Sequence, residues 1–167
     1  MIVEQLSPEV AEVELGDVTR RLREAPVDEP FAQSRMDFCA ALSKALLGDA
    51  QARDYPDLQA AGFTMRPAAV AQLRDEFMRL NPPELIALPR GIVFHIPPSN
   101  VGTVLLYSWL YSFLAGNTNV VRAGSADSPQ WRSCCGSFGR PALEPPCFAT
   151  ATIVRSARRF PRCAMCA

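Results

Sequence analysis

The sequence predicts an α/β fold, in which amphipathic helices lead into a parallel strand–helix–strand unit, the domain is left incomplete and an irregular tail follows. Three observations predict it. Apolar residues recur at three- and four-residue spacings in two stretches before residue 81. Two short β-branched runs, at 91–96 and 119–122, bracket an apolar stretch long enough for three to four helical turns. Beyond Gln130 both periodicities stop.

An apolar share of 49% is ample for a buried core in a chain of 167 residues. The formal net charge of zero hides an uneven distribution: residues 1–130 hold 11 basic and 16 acidic side chains, residues 131–167 six arginines against Glu144 alone. Cysteine divides the same way, with Cys39 in the first part and Cys134, Cys135, Cys147, Cys163 and Cys166 in the second. Lys44 is the single lysine against 16 arginines, the usage of a GC-rich gene. Such a gene read in a shifted frame yields arginine, proline, serine and cysteine, which is the composition beyond Gln130; a disordered basic tail is the other reading. No apolar run approaches the roughly 20 residues of a membrane span. The N-terminus MIVEQLSPEVAEVELGD carries acids where a signal peptide carries bases, so a cytoplasmic protein is expected.

Element by element, residues 1–30 mix acids, prolines and aliphatics and read as a weak strand or helix followed by a linker ending at Pro30. Phe31, Met36, Phe38, Leu42, Ala45 and Leu46 then share a helical face, and Gly48 with Asp49 stops it, which predicts a helix near 33–48. A turn through Tyr55, Pro56 and Asp57 precedes a second helix near 67–80, opened by Pro67, with Val70, Leu73, Phe77 and Leu80 on one face and Asn81-Pro82-Pro83 ending it. Gly91 to Ile96 is continuously apolar apart from its histidine and reads as a strand buried on both faces, broken by Pro97 and Pro98. Gly102 to Ala115 reads as a largely buried helix, Gly116-Asn117 as its left-handed exit, and Asn119 to Arg122 as a second strand. A strand, helix and strand over so short a span cross over right-handed and pair in parallel. The expected organisation is a segment and linker at 1–30, a partial nucleotide-binding domain at 31–130, and an irregular tail at 131–167 that leaves the sheet edge after Val121 open.

In open parallel sheets ligands settle beyond the carboxyl ends of the strands, so the loops after Ile96 and Val121 are where chemistry is expected. The first, Pro97-Pro98-Ser99-Asn100-Val101, leads into the buried helix: its Asn100 amide can donate to an oxyanion, or Asn100 or Ser99 simply caps the helix. The second begins with Arg122, Ala123, Gly124 and Ser125. A guanidinium there binds a phosphate or ribose, or is a solvated strand-end arginine. Serine at 125 spares a 2′-phosphate the repulsion an acid would impose.

Other candidates carry less. Cys163-Ala-Met-Cys166 has the spacing of half a zinc or redox site, but no second pair stands at suitable spacing, and no metal is expected. Cys39 reads as a small core residue and His95, the only histidine, as a hydrogen-bonded core side chain rather than a base. Arg155, Arg158, Arg159 and Arg162 lack interleaved aromatics or a binding module, so nucleic acid is not an expected partner.

Four segments together carry a family resemblance: FAQSRMDFCAALS from Phe31, PRGIVFHIPPSNV from Pro89, YSWL from Tyr107 and LAGNTNVVR from Leu114 to Arg122. They resemble the LuxC-type acyl-CoA reductases, a branch of the aldehyde dehydrogenase superfamily, over about 100 residues that end near Gln130. The resemblance implies the N-terminal part of an aldehyde-dehydrogenase-like cofactor-binding domain. It implies that Asn100 helps form the oxyanion hole, that Ile96, Pro97, Pro98 and Ser99 lie along NADP, and that Arg122, with Gly124 and Ser125 beside it, meets the adenosine ribose or its 2′-phosphate. Family members reduce a fatty acyl thioester to an aldehyde with NADPH, through an acyl-enzyme on a cysteine in a later domain, and the complete enzyme is expected to be a homo-oligomer acting on acyl-CoA. No segment after residue 130 matches that later domain, so this chain is expected to be inactive alone. The alternative from another class is a non-enzymatic nucleotide-binding or interaction remnant.

Overall fold

The computed structural model describes residues 2–7, 11–25, 28–50, 52–82, 84–96, 102–122 and 151–156. The opening stretch, where periodicity leaves strand and helix both open, forms both. Ile2–Ser7 (β1) and Ala11–Glu14 (β2) pair antiparallel, and Leu15–Glu24 (α1) follows directly. α1 buries Val18 and Leu22, four residues apart on one stripe. Its first turn carries Asp17 and its last Arg21 and Arg23, the arrangement that suits the helix dipole.

Gln33–Gly48 (α2) has the bounds the spacing predicts, and buries Phe38, Leu42 and Leu46 together with Cys39, Ser43 and Arg35. Phe31, just before it, holds a positive φ of 57°, a conformation that costs energy outside glycine. Its N–H donates to Leu114 O at 2.6 Å and its ring lies 5.2 Å from that of Phe77. A 3-10 turn, Ala52–Asp54, and a helix Pro56–Thr64 (α3) occupy the stretch that reads as a turn. α3 is fastened to α2 by polar groups: Ser43 Oγ donates to Gly62 O at 2.6 Å and Gln59 Nε2 to Leu46 O at 3.0 Å. Pro67–Leu80 (α4) again has the predicted bounds. Only Val70 of its expected face is fully buried; Leu73 and Phe77 are partly covered, and Leu80 is exposed. Asn81 ends the helix as expected, its Nδ2 donating to Phe77 O at 2.8 Å.

Ile92–His95 (β3), Gly102–Leu114 (α5) and Thr118–Arg122 (β4) form the expected unit, with the strands parallel and His95 opposite Val121. Gly116 exits α5 at φ +89°, as its position predicts. α5 buries Leu106, Trp109, Leu110, Phe113 and Leu114 but leaves Ser108 and Tyr111 exposed. β3 departs from the expectation of burial on both faces. It is the edge strand, and Phe94 remains 46% exposed because α1 covers this face only as far as Ile92.

The tail is not irregular throughout. Ala151–Ser156 (β5) is a strand, parallel to β4 and antiparallel to β1, so the sheet order is β2-β1-β5-β4-β3. The edge after Val121, expected to lie open, is therefore paired. Three consecutive β-branched residues, Thr152, Ile153 and Val154, account for the strand locally.

Alternation along β4 sets the layers. Val120 packs with Val3, Val18 and Leu22 beneath α1, while Val121 joins the larger cluster built from α2, α3, α4 and α5. β4 is thus covered on both faces. At the centre of the larger cluster Trp109 stacks on Phe113 at 5.0 Å and Phe38 tilts against it at 5.4 Å. Leu110, fully buried among these rings, should cost about 3 kcal/mol when replaced by alanine. A urea midpoint that hardly moves would show that this part of the core collapses around the void.

Candidate functional site

The carboxyl ends of β3 and β4 lie side by side. With His95 opposite Val121, the next residues, Ile96 and Arg122, are neighbours at the rim of the sheet, and both side chains are exposed. Period-two alternation puts Arg122 on the face of Val120 and α1, and puts His95 on the face of α5. Of the residues expected to bind or act, Ile96 and Arg122 are thus brought together. Asn100, Pro97, Pro98, Ser99, Gly124 and Ser125 lie outside the described residues, as do the tail cysteines. A parallel strand end carrying an exposed guanidinium, with a helix starting at Gly102 after the neighbouring strand, suits an anionic ligand.

Directly behind this rim lies a polar cluster. The His95 ring is 7% exposed; its Nε2 lies 2.9 Å from Asn119 Oδ1 and its Nδ1 3.0 Å from Ser108 Oγ. Asn119 Nδ2 donates to Asn117 O at 3.0 Å, so Oδ1 is the acceptor that faces the ring. In the neutral ring the proton therefore sits on Nε2, and Nδ1 accepts from the Ser108 hydroxyl. His95 is the hydrogen-bonded core side chain that the sequence predicts. Its partners, on α5 and β4, were not foreseen.

A second buried group continues the cluster toward the far end of β4. Arg35 is completely buried; Nη1 donates to Phe113 O at 2.7 Å and Asn117 O at 3.0 Å, and Nε to Asp28 at 2.9 Å. Among the described residues no acceptor meets Nη2, but the guanidinium carbon lies 4.9 Å over the Phe113 ring, whose face is electron-rich. Asn117 Oδ1 accepts from Arg90 N at 2.7 Å, so this one asparagine ties the exit of α5 to the entry of β3. The signal for Arg35 was present: it stands three residues before Phe38 and seven before Leu42, on the buried stripe of α2.

Among the described residues no group of three or more metal-binding side chains occurs, and Cys39 is buried in the core against which α2 packs, as expected. No helix among them is long and apolar enough to cross a membrane.

Compared with known proteins, the chain matches one family, described as acyl-CoA reductase (LuxC), over residues 70–139. No curated protein and no solved structure matches it. The matched stretch begins inside α4, takes in β3, α5 and β4, and runs past Gln130. It contains Ile96, Arg122 and the whole loop between β3 and α5. Less than half of the chain is covered, and that part is the parallel unit whose strand ends form the rim. Residues 70–139 are thus similar to the LuxC-type acyl-CoA reductases.

Proposed function

We propose that this chain provides the cofactor-binding part of an NADPH-dependent reductase that converts a fatty acyl-CoA to an aldehyde, in a cytoplasmic homo-oligomer when complete. The observation that carries the proposal is the family match over the stretch that contains both strand ends. The reading follows an aldehyde-dehydrogenase-like plan. NADPH, when bound, supplies the hydride that reduces the thioester carbon.

The exposed Arg122 at the end of β4 fits an anionic cofactor: its guanidinium pairs with the 2′-phosphate, and Gly124 and Ser125, which follow it in sequence, bring no opposing acid. Ile96, Pro97, Pro98 and Ser99 line the cofactor's path at the end of β3. Asn100, next along the loop, donates its side-chain amide to the oxyanion that forms when a thiolate attacks the acyl carbon. The thiolate itself is not supplied by Cys39, which is fully buried.

With Cys39 set aside, and with no nucleophile motif in the sequence around the cysteines beyond Gln130, the reading divides binding from turnover: the chain as it stands should bind NADPH and leave acyl-CoA unreduced. Omitting the nucleophile from a covalent mechanism removes several orders of magnitude in rate, which one amide donor does not restore. NADPH fluorescence titration checks the first half, and absorbance loss with a long-chain acyl-CoA checks the second. Multiple turnovers with one cysteine acylated would overturn the division and name that cysteine as the nucleophile. Replacing Arg122 by alanine should lower the NADPH over NADH preference about ten- to a hundredfold, the scale of one charge-assisted contact. Unchanged discrimination would show that another group reads the phosphate.

A further inference from the structure

We propose that His95 is a positioning residue for the cofactor end of the sheet, whose ring clasps α5 to β3 and β4 and so fixes where the strand ends and the start of α5 meet NADPH. The proposal rests on the NADPH reading above and goes beyond it in naming what holds the site in shape.

The geometry carries the argument. His95 is the last residue of β3, one before Ile96, and its two ring nitrogens reach two other elements, Ser108 on α5 at 3.0 Å and Asn119 on β4 at 2.9 Å. α5 otherwise packs through the apolar Leu106, Trp109, Leu110, Phe113 and Leu114, and further directional contacts, Arg35 Nη1 to Phe113 O at 2.7 Å and Phe31 N–H to Leu114 O at 2.6 Å, hold its carboxyl-terminal end. Apolar burial is non-directional: a helix sliding along its own axis by an ångström keeps nearly all of that buried area. The same slide breaks a 3.0 Å hydrogen bond, which weakens steeply with distance and angle. The clasp therefore ties α5 to β3 and β4 at mid-helix, between the bonds at its carboxyl-terminal end and the rim, where hydrophobic packing alone leaves its position loose.

That position matters at the rim. Ser108 stands six residues into α5 from Gly102, about 9 Å along the axis at 1.5 Å per residue, and a helix transmits an axial displacement undiminished over that length. Asn119 anchors the other side. Its amide is held by Asn117 O, which also accepts from the buried Arg35, so the clasp is braced from behind rather than floating in the core. A ring that only filled space here would need no polar atoms, and a phenylalanine would spare the desolvation of two nitrogens.

Three variants of the full chain test this: His95→Phe, which keeps the ring and removes both hydrogen bonds, Ser108→Ala, which cuts only the exposed α5 end of the clasp, and Ser108→Thr, which retains the hydroxyl. NADPH affinity should fall about fivefold in each of the first two and stay near wild type in the third. Amide hydrogen exchange should quicken in residues 92–96 and 102–108 and stay unchanged in α1 and α3, with the urea midpoint of Ser108→Ala unmoved. Affinity that is unchanged in the first two variants, or exchange that quickens throughout the chain, overturns the positioning role. A wild-type chain that leaves NADPH unbound overturns the functional reading instead. The clasp is then judged by exchange alone, where the local pattern upholds its hold on α5 and the general one refutes it.

Discussion

Replacing Arg35 by leucine should lower the stability of the chain by about 3 to 5 kcal/mol, the scale seen when one partner of a buried charged pair is removed. The substitution strands more than Asp28. Phe113 O and Asn117 O both lose the Nη1 donor, and neither carbonyl lies where water reaches it freely, since Phe113 is 1% and Asn117 8% exposed. With a urea slope of roughly 2 kcal/mol/M the midpoint should drop by about 2 M. Asp28→Asn should cost far less, because the Asp28 side chain is 31% exposed and its amide oxygen still accepts from Nε. Equal losses in the two variants would mean that the ion pair, rather than the two carbonyls, is what Arg35 secures.

Gly116→Ala should cost roughly 3 kcal/mol for two independent reasons. The backbone turns at φ +89°, where a side chain is strained, and a Cβ built there lies 2.6 Å from the Asp28 carbonyl oxygen and 3.1 Å from Pro89 Cγ. The Asp28 backbone has to retreat, and the carboxylate that accepts from Arg35 moves with it. Gly116→Ala and Arg35→Leu should therefore be less than additive when combined. Strict additivity in that double variant would show that Asp28 keeps its place and that the strain is confined to the α5 exit.

How much of this was legible depended on whether the determining interaction was local. α2 and α4 announce themselves through spacing and end signals, and β3, α5 and β4 through length, β-branching and Gly116-Asn117. α3 did not, because PDLQAAGFT scatters its apolar residues around the helix; the segment is held by Ser43 and Gln59 contacts to α2 that no short window contains. β5 was missed for a related reason. Six residues inside a stretch of biased composition carry little periodic signal, and the strand draws its pairing from β1 and β4, both far away in sequence. At the candidate site, the strand-end positions of Ile96 and Arg122 followed from topology alone. The environment of His95 was legible as burial, but its partners stand 13 and 24 residues away, on elements whose mutual placement only the folded unit decides. Arg35 was passed over because an arginine amid apolar positions looks like a solvated interruption, although helical geometry places it squarely on the inner stripe.

The central place of β5 has a consequence for the order of events during synthesis. At 5–20 residues per second, β1 leaves the ribosome on the order of ten seconds or more before the strand it pairs with. Until then the nascent β1–β2 hairpin with α1 and the β3–α5–β4 unit have no shared strand, and joining them requires closing a loop of nearly the whole chain length, the kind of long-range contact that slows folding. The helical layer can assemble early from neighbours in sequence, whereas the continuous sheet is necessarily the last thing made.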